Sequence, residues 1–91
     1  MKLGSHYKEW REERVKDRYG IKWYISYGRI HYSSGVSAGY IALQKDNKTN
    51  IYIYDQPHGA CGAFEELLAN ILWKNQVEMP DNPAPDKVIR I

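Results

Sequence analysis

Residues 5–19 read SHYKEWREERVKDRY, and the expected architecture turns on them. Charged helix formers run without Gly or Pro from Ser5, which suits an N-cap, to Gly20, which suits a stop. At 100° per residue, Tyr7, Trp10, Arg11, Arg14, Val15 and Arg18 share one side, and Glu9, Glu12, Glu13, Lys16 and Asp17 the other. The segment is therefore expected to be a helix. Only Tyr7, Trp10 and Val15 on its first side are apolar, so it should bury modestly.

Downstream of Gly20 the period changes. Ile21, Trp23 and Ile25 alternate with Lys22, Tyr24 and Ser26, which predicts a strand over 21–32, with Gly28 marking a bulge or bend. Ser33-Ser34-Gly35 is a turn signal, and 36–44 reads as a second strand. The loop Asp46 to Asn50 separates it from a third over 51–54. Residues 60–77 carry Ala60, Ala63, Phe64, Leu67, Leu68, Ile71 and Leu72 on one broad arc, the pattern of a core-facing helix. Pro80, Pro83 and Pro85 then exclude helix, leaving an extended tail over 80–91 that offers an edge strand.

The expected fold is thus α+β: a three-stranded antiparallel meander flanked by an N-terminal and a C-terminal helix (α-β-β-β-α). One domain covers 1–79 and the tail follows. The second helix would cover Ile21, Trp23, Ile25, Ile41, Leu43, Ile51 and Ile53. Tyr24, Tyr40, Tyr52 and Tyr54 would share the opposite face.

Ninety-one residues allow one domain and one core. A net charge of +2 is too small to imply nucleic acid by itself. Cys61 is the only cysteine, which excludes an intrachain disulfide and suits a reducing compartment. No signal sequence opens the chain and no apolar run is long enough to span a membrane, so the expected location is cytoplasmic, the host's if the protein is viral.

Eight Tyr and three Trp against one Phe favour half-wet surfaces and interfaces. Two features could exploit this. The tyrosine face would stack single-stranded bases or anchor a protein. Arg11, Arg14 and Arg18, beside Trp10 on the expected first helix, would form a cationic stripe suited to carboxylates or phosphates.

A third candidate is QPHGACGA, residues 56–63, where small residues open a helix and expose N–H groups to an anion. In position this loop resembles the pyrophosphate loop of acyl-CoA-dependent acetyltransferases, which runs Gln or Arg, two residues, Gly, one residue, then Gly or Ala. Gln56 and Gly59 fit, and Cys61 stands in the last position. The resemblance covers this loop alone and implies a minimal acetyltransferase-like domain binding acyl-CoA.

Catalytic chemistry finds little footing. Cys61 lies near a helix start, which lowers a thiol's pKa, but on the apolar arc and without a surrounding signature. His58 and Cys61 lack zinc-ligand spacing. The economical reading has no catalytic residue, cofactor or metal. It is a small binding protein, inhibitor- or adaptor-like, of the kind viruses and mobile elements direct at host systems. Its partner would be a protein with an acidic surface, met through Trp10, Arg11, Arg14, Arg18, Tyr24, Tyr40, Tyr52 and Tyr54. A nucleic-acid-binding module using the same Arg and Tyr residues is the alternative from another class.

Overall fold

A computed structural model describes residues 3–80 and 88–90. Its order is β1 (Tyr7–Lys16), β2 (Lys22–His31), β3 (Ser37–Lys45), β4 (Lys48–Tyr54), α1 (Pro57–Ala69) and β5 (Val88–Arg90). All five strands form one antiparallel sheet in the order β1-β2-β3-β4-β5. One helix packs on it. This replaces the three-stranded meander between two helices.

The first helix does not form: residues 7–16 are a ten-residue strand paired with β2 along its length. Helix propensity is a weak prior that tertiary pairing overrides. The alternation that would betray the strand is hidden twice. Most of its residues are charged on both sides, as befits an exposed sheet edge. A bulge between Glu9 and Arg11 also inserts one residue, because Glu9 opposes Gly28 and Arg11 opposes Tyr27. Trp10 and Arg11 consequently both turn toward the helix side, where they meet Tyr27 and Phe64. Gly20, expected to end a helix, instead takes φ +81° in the β1–β2 turn.

Gly28 makes the bulge possible. A Cβ there would lie 1.9 Å from the carbonyl oxygen of Lys8, so the neighbouring strand runs where a side chain would be.

The helix begins and ends earlier than the expected 60–77. Pro57 occupies its first turn, where a missing N–H costs nothing. Its last turn, Asn70–Lys74, widens to π geometry and closes at Asn75 in the left-handed region, φ 56°. Ala60, Ala63, Phe64, Leu67 and Ile71 are buried against Ile25, Ile41, Leu43 and Tyr54, with Met79 closing the cluster.

The two sheet faces also differ from expectation at β4. Tyr40 opposes Ile53 and Ile41 opposes Tyr52, and directly paired residues share a face. Tyr52 and Tyr54 therefore face the helix. Ile51 and Ile53 join Ile30, Ala38, Tyr40 and Ala42 in a second buried cluster on the other side, against Leu3 and Tyr7. With Ile and Tyr alternating and both apolar, β4 carries no phase of its own. The expected tail contributes Val88–Arg90 as β5 beside β4, and residues 81–87 lie outside the described residues.

Candidate basic groove

The expected binding residues do not converge. Arg11 lies on the helix side, with its guanidinium 5.1 Å from the Phe64 ring centroid and paired with Glu13 and Glu65. Arg14 lies on the opposite side, and Arg18 lies in the turn after β1. A stripe of Arg11, Arg14 and Arg18 requires the helix that does not form. Trp10 packs edge-on against Tyr27 on the helix side, with Arg29 5.5 Å from its ring. Tyr52 and Tyr54 face the helix, and Tyr40 is fully buried. Of the expected set, the structure brings together Arg14 and Tyr24.

These two belong to a groove of about 860 Å³ at the end of the sheet formed by the β1–β2 and β3–β4 turns. Cross-strand pairing builds it. Arg14 opposes Tyr24, which opposes Gln44, and one step outward Lys16 opposes Lys22. Trp23, Lys45 and Asp46 complete the wall. The lining thus carries Arg14, Lys16, Lys22 and Lys45 with one carboxylate, Asp46, while at its margin Glu12 lies 4.0 Å from the Arg14 guanidinium and Asp17 interacts with Lys45.

Each aromatic ring in the groove already has a cation on it. Arg14 sits 4.7 Å from the Tyr24 ring centroid and donates to its hydroxyl at 3.4 Å. Lys45 lies 5.5 Å from the Trp23 ring. The Tyr24 hydroxyl donates to Glu12, and that bond holds the phenol above its ordinary range. Stacking a base needs an open ring face, and Tyr24, Tyr40, Tyr52 and Tyr54 do not form a shared open surface.

Asp17 anchors the turn. Its carboxylate accepts from the Trp23 indole at 3.1 Å and from the backbone of Ile21 at 2.9 Å and Tyr19 at 2.8 Å. Burial alone would raise its pKa, but these bonds outweigh that and lower it. Asp17 therefore shapes the turn, and its carboxylate also interacts with the charge of Lys45.

The loop at 56–63 lies at the other end of the sheet, where Tyr54 opposes Gly39 beside the β2–β3 turn. Gln56 caps α1 through backbone geometry without a side-chain bond. Cys61 is half-buried, and its thiol donates to the Tyr27 hydroxyl at 3.4 Å. The groove and this loop do not form a common site.

Deeper on the groove's side of the sheet, Tyr40 and Ser26 are fully buried, and neither hydroxyl makes a hydrogen bond of ordinary geometry. Burial, with the nearby Glu9 carboxylate, pushes the Tyr40 phenol up to about 12.

Sequence reasoning placed Lys22 with the tyrosine face and missed Lys16, Trp23, Gln44 and Lys45 as groove residues. The legible signal was a lysine on each side of both turns, Lys16 with Lys22 and Lys45 with Lys48, but the first pair becomes visible only when 7–16 is read as a strand. Among the described residues no helix is long and apolar enough to cross a membrane, and no cluster of three or more His, Cys, Asp or Glu could hold a metal ion. No family model, curated protein or solved structure matches the chain.

Proposed function

We propose that the protein is a non-catalytic binding module, inhibitor- or adaptor-like, that holds an acidic protein segment in this groove. One observation carries the reading: Lys16 directly opposes Lys22 on the groove's wall, with Arg14 on the same face of the sheet and Lys45 at the sheet's end on the helix side. Like charges in direct cross-strand register destabilise a sheet. Such a local conflict is typical of a site kept for recognition, and a carboxylate-rich partner would relieve it. A protein segment is favoured over nucleic acid because Arg14 and Lys45 already cap the Tyr24 and Trp23 rings.

Fluorescence polarisation tests this with a labelled oligoglutamate peptide and an oligothymidylate of equal charge, at low and physiological salt. The wild-type protein should prefer the peptide, with affinity falling as salt rises. The double variant Lys16→Glu/Lys22→Glu should lose most of the binding while staying folded. Tighter binding of the oligonucleotide, or an unaffected double variant, defeats the proposal.

A further inference from the structure

The β1–β2 turn and the end of the helix meet beside the groove, where the Arg18 backbone N–H donates to the Asn75 side chain at 3.0 Å. Tyr19 directly follows Arg18 and is 77% exposed, and Trp73, two residues before Asn75, is 74% exposed. They are the two most exposed large apolar side chains among the described residues. Neither is needed by the core, and Trp73 stands on a π-helical turn, a geometry that recurs at functional sites. Lys74 adds a further cation next to Trp73.

An acidic ligand alone gives these rings no role. Trp and Tyr recur among the residues that dominate interface energy, and they combine apolar area with a polar tip. We infer that the acidic segment carries large apolar side chains flanking its acidic run, which seat on Tyr19 and Trp73. This rests on the groove reading above and specifies its partner. An amphipathic-helix contact with a lipid surface is not open to α1, whose apolar stripe faces the core, and the acidic protein segment is the occupant that matches the basic groove.

The test is polarisation or calorimetry with three synthetic peptides: an acidic run alone, the same run flanked by Ser, and the same run flanked by Leu. The Leu-flanked peptide should bind roughly three- to tenfold more tightly than the others. Tyr19→Ser and Trp73→Ser should each remove part of that gain and leave the unflanked peptide unchanged, with circular dichroism confirming the fold. Equal binding of Leu- and Ser-flanked peptides, or an undiminished gain in both variants, overturns the inference while the groove reading stands. If no peptide binds, both fall. Stronger binding to phosphatidylserine vesicles or to an oligothymidylate of equal charge also overturns it.

Discussion

Gly39 on β3 lies directly beneath Ala60 on α1. A Cβ at Gly39 would stand 2.8 Å from that of Ala60, 2.7 Å from the Gln56 carbonyl oxygen and 2.9 Å from the Pro57 Cα. The start of the helix rests on the strand because that side chain is missing. Gly39→Ala should therefore push the helix off the sheet and cost roughly 1–3 kcal/mol. Urea melts measure this, and an unchanged midpoint would contradict the seating.

Phe64 and Leu67 are fully buried at the centre of the helix-side core, with the Tyr27 ring 4.8 Å from that of Phe64. Truncation removes transfer energy and leaves a cavity, because neighbours relax only in part. Leu67→Ala should cost about 2–5 kcal/mol and Phe64→Ala about 3–5 kcal/mol. Denaturant melts showing less than about 1 kcal/mol for either would mean the core lies elsewhere.

Lys22→Glu should separate stability from binding. It converts the cross-strand Lys16–Lys22 pair from repulsive to attractive, so stability should rise by roughly 0.2–1 kcal/mol. Affinity for an acidic peptide should fall, because attraction becomes repulsion. Thermal melts and polarisation on the same sample read both signs. A variant both less stable and equally able to bind would deny the groove its role.

Tyr40 predicts an alkaline loss of stability. Its folded pKa, about 12, lies above the ordinary value of 10.0, chiefly through burial. The folded state therefore holds this proton more tightly than the unfolded chain does. The stabilising contribution is complete below pH 10 and is lost as pH rises from about 10 to 12. Tyr40→Phe should flatten that part of the pH profile. At neutral pH it should be neutral to stabilising, since it removes a buried hydroxyl that makes no hydrogen bond of ordinary geometry. A marked destabilisation at pH 7 would show that the hydroxyl is bonded.

The helix was legible because Ala60, Ala63, Phe64, Leu67 and Ile71 recur at the helical period, and a periodic apolar arc is a local property of the chain. The turn at Ser33 to Gly35 was legible for a similar reason, since Gly35 supplies a positive φ that few residues tolerate. Strand β1 was not legible. Its charges satisfy helix propensity, and the bulge at Trp10 erases the two-residue alternation, so only pairing with β2 decides its conformation. The faces of β4 were undecidable within β4, where both sides are apolar; the register Tyr40 to Ile53 assigns them. The groove follows from these same long-range choices. Lys16 and Lys22 flank one turn, but they pair only once 7–16 is a strand, and Lys45 lies in another hairpin, so no local spacing brings it to them. Adjacent antiparallel hairpins bring their ends together, and that proximity belongs to the sheet alone.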